Sequence, residues 1–299
     1  LRYPSKDGEP VTSQRNRKWV VGHGRHLELG ATGHLMAIIN VTPDSFSDGG
    51  RYSGLDAAVI QALSCARDGA IILDIGGEST RPGATEVSAA EEQDRVLPVI
   101  EKLVGETDCL ISIDTYRADT AALAVAAGAH IINDVHGLQR DPEMAHVAAR
   151  TAAGLCVMHT GRGRDDRRQD LVEDQYFFLS RSLEIARDAG VADERIVLDP
   201  GFGFAKNKDD DLELIARFEE LRGLGFPLLA GTSRKRFIGG VTGRDNPAER
   251  DVGTAATTAI LRLKGADIFR VHDIGTNRDA LAMADAVLAA LGAREAKEH

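Results

Sequence analysis

Cysteine is scarce in this sequence. Cys65, Cys109 and Cys156 are odd in number and far apart in a chain of 299 residues. That argues against a disulfide framework or a zinc cluster and suits small core hydrophobes in a reducing compartment. Long apolar runs are also missing, since none reaches the roughly 18 residues of a membrane span. Residues 1–18 are polar and lack the apolar core of a secretory signal. The expectation is a cytoplasmic protein with no membrane partner. Basic charge is in deficit: 36 Lys and Arg face 46 Asp and Glu, a net charge of −10. That balance argues against a nucleic-acid-binding surface. It also means that any anionic substrate must be held by local cations against the overall field.

What is present is an alternation. Short, nearly continuous apolar runs occur at 35–40, 70–76, 110–114, 130–135, 154–159, 196–200, 227–232 and 267–272. Such runs suit parallel strands covered on both faces. Between them, 56–68, 89–104, 115–127, 171–189 and 250–264 carry helical apolar spacing. Each gap exceeds the dozen or so residues that a parallel crossover needs. The pattern predicts an α/β fold, a (β/α)8 barrel over 35–292, with a doubly wound sheet as the alternative. Residues 1–34 are expected to be an N-terminal extension in which 19–22 and 26–29 form a small hairpin closing the barrel's bottom. Residues 293–299 are expected to be a flexible tail.

The strand endings carry the chemistry. They are Asn40, Asp74 with Gly76-Gly77-Glu78, Asp114, Asn133-Asp134, Met158-His159, Asp199-Pro200-Gly201, Ser233-Arg234-Lys235, and Arg270 with His272. In a barrel these fall on the C-terminal rim, where barrel enzymes place their active sites. One Asp after a strand is ordinarily a helix cap. Eight polar endings, some of them cationic, exceed what capping asks for.

The stretch Ala37-Ile-Ile-Asn-Val-Thr-Pro-Asp-Ser-Phe-Ser-Asp-Gly-Gly50 resembles the first signature of the dihydropteroate synthase family, a pterin-binding TIM-barrel family. Asp74-Ile-Gly-Gly-Glu-Ser-Thr-Arg-Pro-Gly83 resembles the second. Shorter matches follow in family order at 112–115, 132–135, 198–204, 231–237 and 270–272. The resemblance implies a transferase of folate synthesis that condenses 6-hydroxymethyl-7,8-dihydropterin pyrophosphate with 4-aminobenzoate. It implies that Asp114, Asn133, Met158, Asp199 and Lys235 bind the pterin. Asn40, Thr80, Arg270 and His272 would take the pyrophosphate. Phe46, Arg81, Pro82, Phe204, Ser233 and Lys235 would surround 4-aminobenzoate. Asp114, Lys235, Arg270 and His272 would be catalytic, chiefly by stabilising charge. A pyrophosphate leaving group implies Mg2+, with Asn40 as its candidate ligand, and the family implies a homodimer through late helices.

Some positions depart from the family pattern. Residues 159–168 are strongly charged where the family carries a Gly-x-Pro segment and a Met-Gln pair. They are expected to stay off the reacting centre. Ala205-Lys206 stands for a usual Gly-Lys, and Asp211 for a usual Asn; both are expected to be minor changes at a helix entry. His136 replaces a commoner small residue, and the histidines are expected mostly at the surface. The second loop has ordinary length, so sulfonamides are expected to compete with 4-aminobenzoate. A barrel presenting methyl-tetrahydrofolate to a corrinoid protein would share Asp114, Asn133 and Asp199 in type. It has no need of the 233–235 motif or the Arg270–His272 pair. A non-catalytic pterin binder is the other alternative.

Overall fold

A computed structural model describes residues 17–42, 51–79 and 86–298. The chain opens with an antiparallel hairpin, β1 (Arg17–Val20) and β2 (His26–Leu29). Eight parallel strands follow: β3 (His34–Asn40), β4 (Ile72–Gly76), β5 (Leu110–Asp114), β6 (Ile131–Asp134), β7 (Gly154–Met158), β8 (Ile196–Asp199), β9 (Leu229–Ala230) and β10 (Ile268–Val271). Their order is β8-β7-β6-β5-β4-β3-β10-β9, and a parallel bridge from Leu198 to Leu228 joins the two ends. The sheet therefore closes into the expected TIM barrel. The strand expected at 227–232 is reduced to two residues. Pro227 has no N–H to give and contributes only its carbonyl, which accepts the Leu198 N–H at 3.0 Å, and Gly231 has no side chain to pack.

Helices fill the crossovers: α1 (Arg51–Asp68), α2 (Ala89–Val104), α3 (Ala118–Ala126), α4 (Met144–Thr151), α5 (Leu171–Asp188), α6 (Lys208–Ala216), α7 (Arg236–Thr242), α8 (Asp251–Leu263) and α9 (Ile274–Glu298). Their starts follow local chemistry. Ser88 and Asp170 cap α2 and α5, and Asn207 forms a capping box with Asp210 at α6. Helix α3 starts three residues later than the sequence suggests. The Thr115 hydroxyl accepts the N–H of Arg117 at 3.1 Å, and Asp141 accepts that of Ala118 at 2.9 Å, so a turn comes first. Helix α9 runs through the charged end expected to fray.

Strand alternation splits the side chains into two sets. Outward residues such as Leu35, Ala37, Ile39, Leu73 and Ile75 pack under the helices in the main core. Inward residues form layers. The lowest holds Met36, Ile72, Leu110, Ile131, Cys156, Val197, Leu229 and Ile268, closed from below by Trp19, Val21 and Leu29 of the hairpin. Trp19 is fully buried and its indole N–H donates to the carbonyl of Arg195 at 2.8 Å. The hairpin is thus a stopper, as the sequence suggests. Far from the rim, the buried guanidinium of Arg262 joins three segments. It reaches Asp285 at 2.5 Å, the Ala266 carbonyl at 3.0 Å and the Gly30 carbonyl at 2.7 Å.

Candidate active site

Two residues above the apolar layer, the inward positions turn polar. Asp74, Ser112, Asn133, Asp199 and Arg270 occupy them, with Ile38 and Met158 as apolar members. Period-two geometry alone places them on one surface, and the contacts among Asp74, Asn133 and Arg270 agree with it. Arg270 Nε donates to Asp74 Oδ2 at 2.6 Å, and its Nη2 donates to Asp114 Oδ2 at 2.6 Å. Asn133 Nδ2 donates to the same Asp74 oxygen at 3.1 Å. The guanidinium links β10 directly to β4 and β5, and the shared Asp74 oxygen extends the link to β6; its fixed fork suits two carboxylates at once.

Asp199 lies across the barrel. Its Oδ1 accepts the N–H of Gly201 at 2.7 Å. Lys235 stands just before α7, donates to the carbonyl of Phe202 and lies 4.9 Å from the Phe204 ring centroid. Ser233 Oγ accepts the backbone N–H of His272 at 3.1 Å and shares a 2.9 Å hydrogen bond with its Nδ1. Arg234 separates Ser233 from Lys235 and adopts φ +56°, a left-handed conformation costly to a side chain. Its side chain holds Asp251 through two bonds at 2.7 and 2.8 Å, so it points away while its neighbours serve the rim.

Burial governs the electrostatics. It pushes the Asp114 carboxyl up, and Arg270 only partly pulls it back. Asp199 is raised for the same reason, against the pull of Lys235. Lys235 is lowered to about 8 by burial, against the pull of Asp199 and Asp211. Burial would also depress Arg270, but Asp74 and Asp114 reverse that and hold it charged. Three carboxyl groups thus share two cations, and the floor of the site favours positive charge above it. Asp74 Oδ1 and Ser112 Oγ, on paired positions of β4 and β5, find no partner among the described residues. Two buried polar atoms side by side are thus left unsatisfied beneath the floor of the site.

Of the residues singled out in the sequence, Asp114, Asn133, Met158, Asp199, Lys235, Arg270, Ser233, His272 and Phe204 are brought to this end of the barrel. Met158 packs with Tyr116, Val135 and Phe204 in an apolar cluster of its own. Asn40 ends β3 opposite Gly76 of β4. Phe46, Thr80, Arg81 and Pro82 lie outside the described residues. No group of three His, Cys, Asp or Glu side chains that could cage a metal occurs among the described residues. An ion near Asn40 would therefore depend on substrate oxygens and water, which suits Mg2+ on a pyrophosphate.

Some partners in the site carry no signal in the sequence, and others differ from what it suggests. Asp74 was visible as a strand ending but not as the carboxylate that holds Arg270. The histidines are not all surface groups, since His159 is 1% exposed and contacts Asp174 and Lys206. Nor does the charged loop stand apart. Arg164 grips Asp174, and the Arg162 guanidinium carbon lies 4.4 Å from the Phe204 ring centroid. Ala205 is more than a change at a helix entry, for it takes φ +56°, where glycine is favoured. Asp211 is buried and accepts the Gly203 N–H at 2.7 Å, which makes it part of the wall behind Lys235.

Comparison with known proteins agrees with this geometry. Residues 36–272 match the family described as pterin binding enzyme. A dihydropteroate synthase of Bacillus subtilis is 50% identical over 254 residues, covering 85% of this chain and 88% of the relative. One of Synechocystis is 45% identical over 267 residues, covering 87% and 92%. A Xanthomonas albilineans dihydropteroate synthase solved with 4-aminobenzoic acid superposes with a TM-score of 0.86 at 43% identity, covering 92% of this chain and 99% of that one.

Proposed function

The chain belongs to the pterin-binding enzymes and, among them, to the dihydropteroate synthases, and we propose that its polar layer is where it joins 6-hydroxymethyl-7,8-dihydropterin pyrophosphate to 4-aminobenzoate. The products are 7,8-dihydropteroate and pyrophosphate. The observation that carries this reading is the ring of buried carboxyls bridged by Arg270 and faced by Lys235.

The pterin's amino and ring N–H groups form an edge of adjacent donors, and Asp199 offers a carboxylate to accept them. Asn133 has both donor and acceptor for a mixed edge. Lys235 donates to the ring oxygen and nitrogen, and Met158 lies against a flat face. In the reaction, the bond from the pterin CH2 to the pyrophosphate oxygen breaks and its electron pair leaves with the pyrophosphate. The neutral arylamine nitrogen forms the new C–N bond and then loses its proton. The amine needs little basic help, so the barrier lies in separating charge. The carboxylate-rich floor stabilises the cation developing on the pterin, with Asp114 nearest the reacting carbon. His272, Asn40 and Thr80 receive the leaving group, together with the Arg270 charge.

Mg2+ belongs to this reading. When bound, it would offset charge on the leaving pyrophosphate, and Asn40 would hold it through its side-chain oxygen. Phe46, Arg81, Pro82, Phe204 and Ser233 complete the reading as the surroundings of 4-aminobenzoate. The same reading makes the protein a cytoplasmic homodimer. No helix among the described residues is long and apolar enough to cross a membrane. The apolar face needed for a second copy is available on α8 and α9, where Val252, Ile260, Met283 and Val287 are exposed.

The test is direct. Purified protein is mixed with the pterin pyrophosphate, 4-aminobenzoate and Mg2+, and pyrophosphate and dihydropteroate are measured. Turnover that disappears in Lys235→Ala and Arg270→Ala is expected. Tight pterin binding without turnover in the unaltered chain would make it a pterin-binding protein instead.

A further inference from the structure

Behind the turn that carries Asp199 runs a buried polar chain that the chemistry above does not use. Asp174 on α5, His159 just after β7 and Lys206 just before α6 are 2%, 1% and 9% exposed. His159 Nε2 lies 2.9 Å from Asp174 Oδ2, and His159 Nδ1 lies 3.0 Å from Lys206 Nζ. Arg164 Nη1 and Nη2 hold Asp174 at 3.1 and 3.0 Å, and the Arg168 N–H adds a bond of 2.9 Å. Burial would raise Asp174, but these donors more than offset it and keep it ionised. An ionised carboxylate only accepts, so the ring proton sits on Nε2. Burial, reinforced by Lys206, lowers His159 to about 3 and keeps the ring neutral. Nδ1 is therefore an acceptor, and Lys206 donates to it.

The far end of this chain is a backbone carbonyl. Lys206 Nζ also donates to Gly201 O at 2.9 Å. Gly201 sits at φ +65°, and a side chain there would collide with the carbonyl of His159, so glycine alone suits the turn. Three successive carbonyls of this turn are each held by a different segment. Gln175 donates to Pro200 O at 3.2 Å, Lys206 to Gly201 O, and Lys235 to Phe202 O. The N–H of Gly201 in turn fixes one oxygen of Asp199. The peptide that Lys206 grips is thus joined through one residue to the peptide that aims the Asp199 carboxylate.

We infer that the Asp174–His159–Lys206 chain is a positioning device for the reaction, fixing Gly201 so that Asp199 presents its carboxylate to the pterin. These residues set pterin affinity without touching pterin. The inference rests on reading Asp199 as the pterin-binding carboxylate.

The experiment is calorimetric titration of the full chain with the dihydropterin pyrophosphate and Mg2+. The KM for 4-aminobenzoate at saturating pterin and the unfolding temperature are measured alongside. Lys206→Met keeps the length of the side chain and removes its donor. It is expected to weaken pterin binding about 10-fold while the 4-aminobenzoate KM stays within about twofold, because the Gly201 carbonyl loses the side-chain donor that ties it to His159 and keeps only the Phe204 N–H at 3.2 Å. Two substitutions at His159 separate aim from mere stability. His159→Asn places an amide oxygen near the Nδ1 position and keeps an acceptor for Lys206. His159→Gln places an amide N–H near the Nε2 position and keeps only the bond to Asp174. The Asn variant should bind pterin more tightly than the Gln variant, even at equal unfolding temperature. If Lys206→Met does not fold, that pair decides alone. A folded Lys206→Met protein with unaltered pterin affinity overturns the inference. So does affinity in the His159 variants that merely follows their unfolding temperatures. An unaltered chain that binds no pterin pyrophosphate would instead refute the reading of Asp199.

Discussion

Replacing Arg270 by Lys keeps one positive charge at the centre of the site and removes the fork. In the structure that fork makes two charge-assisted bonds of 2.6 Å, to Asp74 and Asp114, from two nitrogens of one rigid plane. An ammonium is a point charge and satisfies one of these carboxylates well. One charged hydrogen bond is lost, worth about 1.5–3 kcal/mol. If that bond keeps its geometry into the transition state, kcat/KM falls about 10- to 150-fold, at about 1.4 kcal/mol per decade. The assay is pyrophosphate release under kcat/KM conditions, with thermal unfolding to show that the fold survives. Asp114 sits in a site that already raises its carboxyl, so the variant's acid limb should also move to higher pH. Activity in Arg270→Lys within about threefold of the original would refute the argument. It would show that charge alone, not the bridge between two strands, is what the site needs.

Other outcomes follow from other parts of the fold. Arg262→Ala should destabilise the protein by about 3–5 kcal/mol, since it leaves Asp285 without its buried partner; denaturant unfolding reads this, and a loss below about 1 kcal/mol contradicts it. Ala205→Gly relieves a left-handed residue and should stabilise the fold by about 0.5–1 kcal/mol, an upward shift in unfolding temperature of about 2 °C. Lys235 is held near 8, so its charged form is complete below that pH and is lost as pH rises through it. The value of kcat/KM should therefore fall on the alkaline side from about pH 8, and a flat profile to pH 10 would show that the charge is not used. Sulfonamides should compete with 4-aminobenzoate at micromolar concentration; inhibition no better than by an unrelated aromatic acid would sink that expectation.

The barrel was legible because each parallel strand is buried on both faces, which leaves a continuous apolar run ended by a polar residue. The carboxylates Asp114 and Asp199 were legible for the same reason: they interrupt such runs where a core residue would otherwise stand. Asp74 was harder to assign. It precedes Gly76 by two positions, and only the closure of the sheet shows that Arg270, almost two hundred residues later, reaches it. His159, Asp174 and Lys206 come from three separate segments, and nothing local to any of them announces the others. Ala205 carried no warning because left-handed backbone is fixed by the path of the turn, while the sequence reports only that the residue is small. The β9 strand was overextended because an apolar run looks the same whether or not its ends can join a ladder.

The stopper made by β1 and β2 leaves this tube with a single mouth. Trp19 and the ring of eight apolar side chains above it block passage from below. Whatever docks on the polar layer must arrive through the rim and depart through it. On the proposed reading, a pterin lodged against the polar layer would be covered by a 4-aminobenzoate settling nearer the rim, and would then have to enter first. A product spanning both levels would have only one way out, the way that its parts came in. A hairpin remote from the chemistry thereby dictates traffic.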